Sequence, residues 1–232
     1  DEVTTFDIGD EVFAVHTRNG QRFEARCVVI ATGMKRRKLG IPGEERLLRK
    51  GVSHSAVQDA ALLAGAKVVV VGGGNSGVQA VKELLNVGCK VALVEKGRLI
   101  ADESDVMAFE HNDRVEILER HDLAEIHGAD TVEGVTVQSM DDLGERRIDC
   151  RAVFIQVGLV PNTELCQDFL ELNDKGEIVV QPDCSTHVEG VLACGDVTSA
   201  FGKRIVIASG EGAKAALKAK QYLAKSKETT RQ

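Results

Sequence analysis

The apolar positions of this chain follow two different rhythms, and the switch between them predicts the architecture. VFAVHT alternates, Asn19 and Gly20 supply a tight-turn dipeptide, and QRFEARCVVI reads as the returning strand of a hairpin. The end of that stretch, CVVIATG, loses the alternation. A continuous apolar run closing on Ala-Thr-Gly predicts a strand buried on both faces, whose loop at Thr32 and Gly33 is delivered toward a ligand. LGIPGEE then interrupts regular structure, and GVSHSAVQDAALLAGA is expected to be a linker with a short turn of helix. From Lys67 the order is strand (KVVVV), glycine turn, helix and second strand (KVALVEK). Val78, Val81, Leu84 and Leu85 recur at helical spacing, and the helix stops at Gly88. This is a βαβ unit.

Beyond it, RVEILER, VEGVTVQS and RRIDCRAVFIQVG read as strands, with DDLGE as the turn between the last two. GLVPNTELCQDFLEL breaks the pattern, GEIVV and GVLACGD are expected strands, and RIVIASGEGAKAALKAKQYLAK is an expected long helix, its charged tail fraying after Leu223. The pattern predicts an α/β protein of two lobes. Residues 54–157 form one, and residues 1–53 with 158–232 form the other.

Composition narrows the function classes. With 232 residues, 43% apolar and 28% charged, the chain reads as soluble and globular, without a membrane span or a secretory signal. It opens on Asp1, which suggests a processed form or a fragment. A formal net charge of −7 disfavours nucleic acid or an acidic membrane as partner. The run Lys35 to Lys38 is a local basic exception, read as a solvated loop with a phosphate-binding patch as the alternative. Six cysteines without C-x-x-C spacing read as reduced thiols of a cytoplasmic protein, and no His and Cys spacing suggests a metal.

Gly72-Gly73-Gly74-Asn75-Ser76-Gly77 fits G-x-G-x-x-G directly between a strand and a helix. In such a turn the first glycine permits the bend, the second lets a pyrophosphate approach the backbone, and the third lets helix and strand pack closely. The free amides and the positive helix end then face the phosphates. The alternative is a glycine-rich turn that holds nothing. Glu95, 18 residues after Gly77, ends the second strand where an acid would accept ribose hydroxyls, so NADH is favoured over NADPH. Lys96 and Arg98 beside it pull the other way, and a plain surface Glu is the alternative.

VVIATG, GIPGE, VVVVGGGNSGVQA, VGLVPNTEL, GEIVV, GVLACGDVTS and IASGEGAKAALKAKQYL stand in one order across essentially the whole chain. In this order the chain resembles the two-domain flavin disulfide reductases, the family of thioredoxin reductase and of the flavoprotein subunit of alkyl hydroperoxide reductase. The resemblance implies a three-layer FAD/NAD(P)-binding fold, with a complete Rossmann-like NAD(P) lobe (54–157) inserted into part of an FAD lobe. It implies that Asp196, after Gly195, binds the ribityl chain of FAD and that Thr32 and Gly33 lie along the FAD nucleotide. Arg204, Ile205 and Val206 fall at the flavin edge, and Gly158 falls near the nicotinamide nucleotide. For Asp196 a turn role is the alternative, and Arg204 stands where the family usually has Gln.

Two departures qualify the resemblance. Ser55 and Gln58 occupy the positions of the family's C-x-x-C, and neither a hydroxyl nor an amide can cycle between thiol and disulfide. Asp59 follows them, read as a loop residue or helix cap. The chain also carries a single glycine fingerprint, whereas family members begin with a separate one for FAD, so an open sheet edge is expected. The functional expectation is a flavin-dependent NAD(P)H oxidoreductase using FAD and NADH without its own redox disulfide. Electrons would leave to an external acceptor such as a ferredoxin-like protein, a quinone or oxygen, and the resemblance suggests a homodimer. The alternatives are a non-catalytic nucleotide-binding or scaffold module, and a piece of a longer reductase.

Overall fold

A computed structural model of the chain describes residues 1–9 and 12–229, the side chains of Val57, Gln58 and 226–229 excepted. The chain divides into two compact units, residues 1–35 with 159–232, and residues 36–158. The expected boundary at 53/54 is therefore misplaced. Residues 36–53 carry Leu47 and Val52, both buried in the core of the second unit, and Val52–Ser53 pairs into its central sheet. The later crossing lies at 158/159, one residue from the expected position.

The first unit opens with β1 (Val3–Ile8), β2 (Phe13–Thr17) and β3 (Arg22–Ala25), an antiparallel meander whose second turn is Asn19-Gly20. The expected single returning strand splits after Ala25, and β4 (Val28–Ile30) belongs to a different sheet. Nor is β4 buried on both faces, since Val29 is 42% exposed. β5 (Met34–Arg36) follows.

The second unit is built on five parallel strands in the order β6-β13-β7-β8-β9. β6 (Val52–Ser53) leads into α1 (Ala56–Asp59) and a 3-10 turn at Ala60–Leu63. β7 (Lys67–Val71), α2 (Asn75–Asn86) and β8 (Lys90–Glu95) form the βαβ unit. After α3 (Glu103–Met107) and β9 (Val115–Glu119), an antiparallel sheet is laid down by β10 (His121–His127), β11 (Gly134–Ser139) and β12 (Glu145–Asp149). β13 (Ala152–Ile155) then returns between β6 and β7.

Alternating side chains of the parallel strands explain why their sequences are continuously apolar. Val68, Val70, Val91, Leu93 and Phe154 pack with Val78, Val81 and Leu84 of α2 in one core. Val69, Val71, Val94 and Ile155 pack with Leu123, Ile126, Val135 and Val137 of the antiparallel sheet in another. A strand buried on both faces has no polar side to show, and the unit is helix, parallel sheet and antiparallel sheet in three layers.

The chain returns to the first unit through β14 (Leu159–Pro161), β15 (Val191–Ala193) and α4 (Ile205–Thr229). GEIVV is not a strand, because only single bridges at Ile178 to Leu172 and to Thr198 form. Asn173 Oδ1 instead accepts the amides of Lys175 and Glu177, closing a tight turn. The helix runs on past Leu223, and residues 230–232 of the expected frayed tail lie outside the described residues. β15 pairs in parallel with β4, and α4 packs on both strands. Phe6 stacks on Phe13 and Phe169, with ring centroids 5.8 and 4.9 Å apart.

Phe154 is fully buried between the layers, whereas Leu62 is 83% exposed. Phe154→Ala is expected to lower unfolding free energy by about 3–5 kcal/mol, and Leu62→Ala by no more than about 0.5 kcal/mol. Urea titration followed by circular dichroism measures both.

Candidate dinucleotide-binding site

The glycines after β7 are there for different steric reasons. Gly72, at φ +110°, donates its amide to Val94 O at 2.8 Å, and a Cβ on it would overlap the carbonyl of Gln156. A Cβ on Gly77 would overlap the carbonyl of Gly72, so α2 sits directly on the end of the strand. Gly74 differs: its nearest neighbour would be Ile100, 3.9 Å away, with open space otherwise. Gly73, which the fingerprint leaves unspecified, also excludes a side chain, because Leu99 would lie at 2.5 Å and Glu95 Cγ at 3.0 Å.

α2 begins at Asn75 with Gly74 as its N-cap and no side-chain cap. The amides of Asn75, Ser76 and Gly77 thus open the helix without intrahelical acceptors, at its positive end. Asn75 and Ser76 are exposed. The Asn75 side chain faces the loop after β8, accepting the Asp102 amide at 3.0 Å and donating to its carboxylate at 3.3 Å. The amides of Ile100 and Ala101 donate to Gly73 O at 3.0 and 3.2 Å. No local pattern in the sequence signals Asp102 or this clasp, because 27 residues separate the partners.

Glu95 stands at the end of β8 beside the turn. Its Oε2 accepts the Gly73 amide at 2.6 Å and its Oε1 accepts the Gly97 amide at 2.9 Å. An ionised carboxylate has about four acceptor sites, so two bonds leave capacity for another donor. Lys96 turns away, pairing with Asp122 at 2.7 Å. Gly158, the last residue of this unit, has φ +88°, open space where a side chain would stand, and a carbonyl that accepts the Arg37 amide at 3.1 Å.

In the first unit, adjacent parallel strands bring two of the expected segments to one end. The Cys194 amide donates to Ile30 O at 3.0 Å, so the loops after β4 and β15 leave side by side. Thr32 Oγ donates to Asn162 O at 2.7 Å, Asn162 Nδ2 donates to Thr32 O at 2.8 Å, and the Asn162 amide donates to Gly33 O at 2.9 Å. Gly33 and Gly195 lie at φ +65° and +77°, where glycine is favoured. The Gly195 amide donates to Glu211 of α4 at 2.7 Å, a carboxylate 9% exposed. Asp196 follows at the strand end, half-buried. The Arg204 carbonyl accepts the Ala208 amide at the start of α4, and Ile205 and Val206 are 89% and 77% exposed in its first turn. Asn162 and Glu211 are the positioning residues that the sequence did not single out.

The chain matches, over residues 1–220, the model of a family described as pyridine nucleotide-disulphide oxidoreductase. It is 39% identical over 221 residues to the F component of alkyl hydroperoxide reductase from Staphylococcus aureus, covering 95% of this chain and 44% of that protein. The chain belongs to this oxidoreductase family. It spans less than half the length of the curated relatives it matches. Among solved structures it is similar to the thioredoxin reductase of T. acidophilum, at TM-score 0.75 and 32% identity, over 97% of this chain and 73% of that one. It is also similar to the thioredoxin reductase of Lactococcus lactis, at TM-score 0.79 and 27% identity, over 96% and 74%. These neighbours fit the FAD/NAD(P)-binding, Rossmann-like fold expected from the motifs.

For a member of a disulphide oxidoreductase family the thiols are notably quiet. Five of the six cysteines are buried and Cys27 is half-buried. Burial pushes Cys150 up to about 12 and Cys166 up to about 11, and raises Cys27, Cys89, Cys184 and Cys194 as well. Ser55 precedes α1 without capping it, and Asp59 accepts a hydrogen bond from the Ser53 hydroxyl. The expected cap role of Asp59 is not observed at the 3-10 turn it precedes. The side chain of Gln58 lies outside the described ones. Among the described residues no His, Cys, Asp and Glu cluster could hold a metal, and no helix is long and apolar enough to cross a membrane.

Gly77→Ala is expected to destabilise the protein by on the order of 3 kcal/mol through overpacking, while Gly74→Ala stays within about 1 kcal/mol. Denaturant unfolding separates them. Iodoacetamide is expected to label Cys27 first in the native protein, faster as pH rises toward its raised pKa, with the other five labelled only on unfolding. Peptide mass mapping reads the order.

Proposed function

We propose that this chain carries the nicotinamide-dinucleotide site of a flavin-dependent NAD(P)H oxidoreductase that works without a redox disulfide of its own. The observation that carries the reading is the division of labour among the glycines. Gly72 and Gly77 are closed in by backbone, as a packing role requires, but Gly74 faces open space where a pyrophosphate would approach. The unsatisfied amides of Asn75, Ser76 and Gly77 would hold the phosphates. Glu95, held by Gly73 and Gly97, is oriented to accept ribose hydroxyls, and its charge disfavours a 2′-phosphate, so NADH is the favoured nucleotide.

The flavin part of the proposal rests on the first unit. Thr32 and Gly33, fixed by Asn162, and Gly195 with Asp196, fixed by Glu211, form one polar end suited to a ribityl and nucleotide chain. Arg204, Ile205 and Val206 place the positive end of a 25-residue helix beside exposed apolar side chains, which suits the edge of a flavin. When bound, FAD supplies the two-electron chemistry; this chain's residues bind, orient and exclude water. With Ser55 in place of a thiol and six thiols raised by burial, the electrons are proposed to pass to an external acceptor, with homodimeric assembly as part of the same proposal. A second reading, a dinucleotide-binding module without redox work, is favoured by the uncovered face of β4 at Val29.

Calorimetric titration is expected to show NADH binding more tightly than NADPH. Gly74→Ala should weaken NADH by about tenfold or more, because a methyl group blocks the phosphate approach. Glu95→Gln should narrow the preference between the two nucleotides. NADH bleaching of FAD absorbance in the presence of the chain supports the oxidoreductase; NADH binding without bleaching supports the module.

A further inference from the structure

A cleft of the second unit lies away from the glycine turn. It has a volume of about 510 Å³ and runs beside the edge strand β6, under α1 and the 3-10 turn that follows. Ala152 and the fully buried Phe154 form its floor, and Leu62 and Leu63 form an apolar wall. The lining also includes the polar residues Arg36, Arg49, His54 and Ser55. Neither Arg36 nor Arg49 has a hydrogen-bond or ion-pair partner for its side chain among the described residues. Arg49 is held at φ +63°, a conformation uncommon for a side chain of its size, by a turn in which its amide donates to Val52 O at 2.9 Å.

His54 adds direction. Its Nδ1 lies 3.1 Å from Ile155 O. A carbonyl only accepts, so Nδ1 carries a proton and the ring is fixed with Nε2 turned away from that carbonyl. Gln156 Nε2 also donates to the His54 carbonyl at 3.0 Å, tying the residue to the end of β13. The opposing charge in the cleft is Asp59, whose carboxylate already accepts the Ser53 hydroxyl. Arg36 and Arg49 outweigh it in formal charge, so the residues lining the cleft carry a net positive charge.

We infer that this cleft binds a small organic anion, a carboxylate or phosphate group on an apolar body, with the anionic head at Arg36 and Arg49. The apolar body lies on Leu62 and Leu63, and Arg gives the planar donor fork that both head groups fit. The inference stands apart from the dinucleotide reading, since it uses other residues and its probes contain no nucleotide.

The test is titration of the full chain with benzoate and with phenyl phosphate, read by calorimetry and by the ring proton resonances of His54. Benzyl alcohol serves as the uncharged control. At least one anion is expected to saturate, to shift the His54 resonance, and to bind about tenfold more weakly to Arg36→Gln or Arg49→Asn, as loss of a charge-assisted contact requires. Both substitutions remove exposed, unpartnered side chains, and Asn tolerates the positive φ, so the variants keep the fold. Gly74→Ala is expected to leave anion binding unchanged. Failure of both anions to saturate, equal binding of benzyl alcohol, full affinity in both arginine variants, or loss of binding in Gly74→Ala would each overturn the inference.

Discussion

The close approach of α2 to β7, with no side chain between Gly77 and Gly72, is the contact on which the rest of the second unit depends. It fixes the first turn of the helix against the strand end, so that three amides without acceptors project beyond the sheet. Everything beside the turn is arranged around that placement. Glu95 holds Gly73 and Gly97 together, and Asn75 clasps Asp102, so the loop after β8 is drawn across the turn. A wider separation of helix and strand would misplace the amides relative to Glu95, and the site would lose its geometry while the sheet survived.

What could be read in advance was whatever has a short period. The valines of β7 and β8, the helical spacing of Val78, Val81 and Leu84, and the three fingerprint glycines each state their role within a few residues. Features made by distant partners stayed hidden. Asn75 and Asp102 are 27 residues apart, Gly195 and Glu211 are 16 apart, and Thr32 and Asn162 are 130 apart. β10 escaped notice because HDLAEIH carries polar residues at most positions and shows only Leu123 and Ile126 to the core. The unit boundary at 35/36 is hidden for a similar reason: β6 has two residues, too few to show a period, yet it fixes residues 36–53 to the central sheet.

The family assignment and the thiol chemistry point in different directions, and the structure gives that difference a physical form. Membership rests on motifs that build the two units, and those are present. The disulfide chemistry in the family's description needs a thiolate within reach of solvent, and burial works against one at each of the six cysteines. The segment that carries Ser55 and Asp59 borders the cleft beside β6. That segment contributes to the core through Val52, Ala56 and Ala60.

The central claim is that the amides of the glycine turn hold a dinucleotide diphosphate. Its most direct measurement is the shift of assigned backbone amide resonances as NADH is added to the ¹⁵N-labelled chain. The account predicts that the largest shifts fall on Gly74, Asn75, Ser76 and Gly77, with Glu95 and Gly97 moving alongside them. Saturable NADH binding that leaves those amides unmoved, or no binding at all, would contradict it.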